Sequence, residues 1–135
     1  MTSTLDFPVQ APPAAAVSLL RQAERGFAAI EVDAAPAARF TESYLCALRA
    51  AAAMLALRGR PHRGRAKPTS VWTLMSSVAP EMREWAAFFA SCSATRAAVQ
   101  AGITSRVGPR AADDLHRQTA EFLDLVHRAV HGSRR

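Results

Sequence analysis

The chain has 135 residues, half of them hydrophobic but only 7% aromatic, with two cysteines and a formal net charge of +6. That length buries the core of one domain without disulfides or structural metal, and two widely spaced cysteines, Cys46 and Cys92, exclude a disulfide scaffold. Alanine richness with few β-branched residues argues against a sheet and for closely packed helices, and no apolar run reaches the roughly 20 residues that cross a bilayer, so no membrane partner is expected.

The first 13 residues, MTSTLDFPVQAPP, lack a basic n-region and a continuous apolar h-region. They read as a mobile arm rather than a secretory signal. The bundle is expected over residues 14–132, followed by a basic tail at 133–135. In AAAVSLLRQAERGFAAIE, Val17, Leu20, Ala23, Phe27 and Ile30 recur at steps of three and four, the period of a helix with one buried face. Asp33-Ala-Ala-Pro36 interrupts the chain, because the residue before proline resists α geometry while proline suits a first helical turn. A second helix follows to about Arg58, with Phe40, Tyr44, Ala47, Leu48, Ala51 and Leu55 on its core face, widened by Leu45 and Met54.

Residues 58–68, RGRPHRGRAKP, hold two glycines and two prolines, which forbid a continuous helix. Thr69 or Ser70 then caps a segment through Val71, Trp72, Leu74 and Met75. Pro80 opens a fresh turn with Glu81 and Glu84 near its N-terminal dipole, and Met82, Trp85, Phe89 and Cys92 continue the apolar stripe. The third helix is therefore expected to be long and kinked or broken near Pro80. The last helix starts at Pro109 and stops near Gly132, with Ala112, Leu115, Thr119, Phe122, Val126 and Ala129 as its seam. The expected fold is an all-α antiparallel four-helix bundle.

Charge is distributed unevenly along this frame. Residues 1–57 hold four cations against five acids, and residues 58–67 hold Arg58, Arg60, Arg63, Arg65 and Lys67 with no acid. Residues 68–110 have a surplus of two cations, and the rest is balanced. Five cations without a counter-charge create a local field that phosphate would seek. No aromatic residue lies in the run, so phosphate contact rather than base reading is the most it could supply. The same run also reads as a solvated connector between helices.

Three pieces, ALRAAAAMLALRGRPHRGR, SVWTLMSSVAPEMREWAAFFA and RAADDLHRQTAEFLDLV, occur in an order that resembles the HEPN superfamily, in particular an actinobacterial branch of it. The resemblance spans most of residues 14–130. It implies an α-helical bundle that often dimerises through its last two helices. It also implies either metal-independent ribonuclease activity or a non-catalytic role in binding RNA or nucleotides, without saying which holds for the branch.

Catalytic members carry an arginine, four to six residues and then a histidine near the start of the last helix; here the match is Arg110-Ala-Ala-Asp-Asp-Leu-His116. The residue types suit metal-free RNA cleavage, which needs a base for the 2′-hydroxyl proton and a cation for the phosphate as charge builds. In a chain with sixteen arginines and four histidines, chance supplies about one such spacing. Two features depart from the catalytic pattern. Ala111 stands where a polar residue is usual, and Asp113 and Asp114 place negative charge inside the interval. A structural role, with His116 beside the seam and Arg110 paired to an acid, is the competing expectation.

Other chemistry finds less support. His127 and His131 are four apart but lack an evident third ligand, so no metal and no cofactor are expected. Trp72 and Trp85 fall on apolar stripes, Cys46 and Cys92 read as buried reduced thiols in a cytoplasmic setting, and Ser43, Ser70 and Ser91 have no partnering histidine and acid. Three readings stay open: a non-catalytic bundle binding RNA or another polyanion through residues 58–67, a ribonuclease using Arg110 and His116 at a dimer cleft, and a protein-interaction or dimerisation module.

Overall fold

The computed structural model describes residues 11–59 and 70–132, so most of the expected arm, the run 60–69 and the tail 133–135 lie outside the described residues. Among the described residues all regular secondary structure is helical: α1 (Ala14–Ala28), α2 (Pro36–Arg58), α3 (Val71–Val78), a single 3₁₀ turn (Pro80–Met82), α4 (Arg83–Gln100) and α5 (Pro109–His131).

Local sequence accounts for each boundary. Pro36 and Pro109 occupy first helical turns, where a missing N–H removes no helical bond. Ser70 caps α3, its Oγ accepting from the Thr73 N–H at 3.2 Å. Gly102, at φ +92°, ends α4 in a Schellman arrangement: its N–H bonds to Val99 O at 2.9 Å and that of Ile103 to Ala98 O at 2.8 Å. Helix α1 ends earlier than its apolar period predicts. Its last N–H groups, those of Ala29 and Ile30, tighten onto carbonyls three residues back, and Ala35 must be extended before Pro36 (φ −58°, ψ 148°). Ile30 consequently leaves the helix and enters the connector, where Val32 is 85% exposed.

Helix α2 is the hub, packing against α1, α3, α4 and α5. Its small residues make this possible: Ala47, Ala50, Ala51 and Ala53 are fully buried, as is Ser43, so neighbouring backbones approach closely. The composition of α2 makes it long and apolar enough for a membrane span, but more than half of its apolar window is buried within the bundle. It therefore has the character of a core helix.

Cross-helix contacts set the directions. Arg39 bonds to Asp113 and the Thr119 hydroxyl approaches Ser43 O at 3.5 Å, so α2 and α5 run the same way. Helix α4 runs against them: Glu81, just before its start, meets Arg58 at the end of α2, while Arg96 in its later half lies over the ring of Tyr44.

The break at Pro80 is a reversal. Trp72 and Phe89 are 17 positions apart, roughly 25 Å along a continuous helix, yet their rings stack with centroids 5.0 Å apart. Helix α3 folds back on α4. Ala79 adopts φ −136°, ψ 71° ahead of the proline, which turns the chain there. The hairpin closes an aromatic core in which Phe89 and Phe122 are fully buried, with centroids 5.0 Å apart and Trp72 and Trp85 against both. The Trp72 indole N–H donates to the Tyr44 hydroxyl at 2.9 Å, satisfying a polar group that burial would otherwise penalise. Both tryptophans thus serve the core.

Candidate functional site

The basic run begins at the last residue of α2. Arg58 donates through Nη2 to Glu81 Oε2 at 2.7 Å and through Nη1 to the Val78 carbonyl at 3.1 Å. A guanidinium at the C-terminal end of α3 meets carbonyls with no helical partner and the negative end of the helix dipole. Arg58 therefore clasps the end of α2 to the α3–α4 hairpin, and its hydrogen bond holds the Glu81 carboxyl below the usual range. Arg60, Arg63, Arg65 and Lys67 lie outside the described residues.

Arg110 and His116 sit on the first turns of α5. Six positions of helix separate them by about 9 Å of rise and about 120° of rotation, so one protomer does not present them on a common face. Arg110 is exposed. The His116 ring stacks on Phe27 of α1, with centroids 4.3 Å apart and planes inclined by 25°. Both acids in the interval are engaged by arginines: Asp113 by Arg39 at 2.7 Å, Asp114 by Arg117 at 3.2 Å.

His116 and Asp113 also line a cleft of about 450 Å³ together with Ile30, Val32 and Arg39. The cleft lies where the α1–α2 connector meets the start of α5. Arg39 and Arg58 are 19 residues apart on α2, about 28 Å, so the cleft and the start of the basic run occupy opposite ends of the bundle.

The sequence model of the SAV_6107-like HEPN family matches residues 29–127. The chain belongs to this family. No curated protein and no solved structure matches it. The HEPN match starts at the α1–α2 connector and takes in α2 to α4 and most of α5, so both the basic run and the Arg110–His116 interval fall inside it.

In this HEPN chain the residue that sequence reasoning passed over is Arg39. Its side chain is only 13% exposed, and its Nε donates to the Ala34 carbonyl at 3.3 Å while Nη1 holds Asp113. The available signal was its position: a cation four residues into a helix opposes the dipole, so a specific partner is needed to keep it there. His127 Nδ1 lies 2.8 Å from Glu24 Oε2, joining α5 to α1, and its ring is 4.6 Å from that of His131. Burial pushes the Cys46 thiol up to about 11 and raises that of Cys92, which keeps both in the weakly nucleophilic thiol form near neutrality.

Proposed function

We propose that this HEPN-family chain is a non-catalytic bundle that binds RNA or another polyanion through the run 58–67, with Arg60, Arg63, Arg65 and Lys67 as the phosphate-contacting side chains. The observation that carries this reading is the placement of charge: ten successive residues hold five cations and no acid, in a chain whose other segments are close to balance. Arg58 belongs more to the scaffold than to the ligand surface, because Glu81 and the Val78 carbonyl already engage it. Four cations remain to neutralise phosphate, enough for salt-dependent binding without sequence reading.

The α5 geometry weighs against catalysis within one protomer. His116 is packed face-on against Phe27, Arg110 is turned away from it, and two acids occupy the interval. Ultraviolet crosslinking in cells with nuclease controls tests the main reading: a labelled adduct that nuclease shortens is expected. A protein partner retained after nuclease, with no adduct, would instead favour an interaction module.

One observation favours a second reading, a metal-independent ribonuclease whose site is completed by a second copy packed through the last two helices. His116 lines an open cleft rather than being sealed in the core. That reading requires His116→Ala to abolish RNA cleavage by the parent protein; cleavage that survives the change, or a parent that cleaves nothing, removes it.

A further inference from the structure

The cleft at the α1–α2 connector brings together a charge pair and an apolar wall whose chemistry the polyanion reading does not use. We propose that it binds a small zwitterion of the amino-acid type, with the ligand carboxylate on Arg39, the ammonium on Asp113 and the side chain against Ile30, Val32 and His116.

Arg39 anchors this cleft. Its guanidinium is largely buried, held to the connector by the Ala34 carbonyl, and neutralised by Asp113, which is 65% exposed. A second hollow of about 410 Å³ adjoins across Ile30 and Arg39 and is bordered by Glu31 and Glu42. Asp113 pairs with this cation, and Glu31 and Glu42 add negative charge along the neighbouring hollow. A simple anion entering here would face those carboxylates. A simple cation drawn to Asp113 would strip Arg39 of its counter-charge, and a buried guanidinium tolerates that poorly. A molecule carrying both charges can exchange with the bridge while leaving each group paired, through charge-assisted hydrogen bonds of ordinary length.

The walls suit the rest of such a ligand. Ile30 and Val32 supply apolar surface, and Val32, at 85% exposure, gains most from being covered. The His116 ring is fixed by its stack on Phe27, so this wall is already ordered before binding. A cleft of about 450 Å³ lies in the volume range of small-molecule sites, and its lining is divided between charged or polar side chains and the apolar Ile30 and Val32.

Thermal melting of the full chain with free leucine, free phenylalanine, leucinamide and N-acetylleucine tests this. A free amino acid at ten times its Kd should raise Tm by about 5 °C, whereas the two blocked forms, each lacking one charge, should give no shift at the same concentration. Asp113→Asn, at an exposed position, should abolish the response with its own melting cooperative and its helical circular dichroism unchanged. Val32→Asp should weaken the response at least tenfold without touching the ion pair. The proposal is overturned if neither free amino acid shifts Tm, if either blocked form works as well as the free one, or if Asp113→Asn responds like the parent. None of these outcomes depends on the cations of residues 60–67, which take no part in the proposed contacts, so the polyanion reading stands or falls separately.

Discussion

Replacing Tyr44 with phenylalanine removes one oxygen and strands one buried donor. The Trp72 indole N–H donates to that oxygen at 2.9 Å, and both residues are 3% exposed, so water does not substitute for the lost acceptor. A stranded buried donor costs about 1–3 kcal/mol. Phenylalanine refills almost the same space, so little cavity penalty is added, and the aromatic face beneath Arg96 is retained. A loss of about 2 kcal/mol lowers Tm by about 6–8 °C in a domain of this size. Urea unfolding of the parent, Tyr44→Phe, Trp72→Phe and the double variant measures the effect, with Trp85 as the fluorescent reporter. Trp72→Phe should cost more alone, since it also vacates volume beside Phe89 and Phe122, and the pair should couple by about 1 kcal/mol. A Tyr44→Phe variant within about 0.3 kcal/mol of the parent, or strictly additive changes, would refute the bonded seating of α3 on α2.

Glu81→Gln tests the clasp at the end of α2. The Arg58 hydrogen bond lowers the Glu81 pKa from 4.5, so the charged carboxylate favours the fold. That contribution is full above the unfolded value and lost as pH falls through the lowered one. Because the pair is substantially exposed, the variant should lose under about 1 kcal/mol at neutrality, and urea titrations of parent and variant should converge as acid protonates the folded-state carboxyl. The thiols give the opposite sign. With the folded Cys46 raised to about 11, its contribution is intact below about 9 and disappears as pH climbs through about 11. Iodoacetamide should therefore label Cys46 and Cys92 slowly in the native protein near neutrality and rapidly in urea, and fast native labelling would contradict their placement. Phe122→Ala should cost about 3–5 kcal/mol by denaturant unfolding, as it empties the centre of the aromatic core.

Most of the scaffold was legible in the sequence because its signals are local. Proline at positions 36 and 109 and glycine at 59, 102 and 132 mark helix ends through backbone geometry alone, and the α5 stripe from Ala112 to Val126 is buried as its period requires. The direction of the chain after Pro80 was not legible. A proline states that the helix is interrupted; only the contact of Trp72 with Phe89 decides that the next helix turns back. The end of α1 was misjudged for a related reason, since the apolar period runs on to Ile30 while the approach to Pro36 unwinds it.

The candidate site was legible only as residue types. Spacing identified Arg110 and His116, but the stack of His116 on Phe27 and the capture of Asp113 by Arg39 join residues 89 and 74 positions apart, and no local pattern reports such pairings. Arg39 itself was hidden among sixteen arginines.

Fluorescence anisotropy of a labelled single-stranded RNA across a salt series, with the parent and with Arg60, Arg63 and Arg65 together changed to alanine, tests the polyanion reading most directly. Each neutralised phosphate on a single strand contributes about −0.7 to the slope of log K against log salt. With Arg58 occupied by Glu81, the four remaining cations predict a parent slope of about −3 and a variant slope no steeper than about −1. Binding that ignores salt, a parent that binds no RNA, or a variant with the parent's slope would contradict the account.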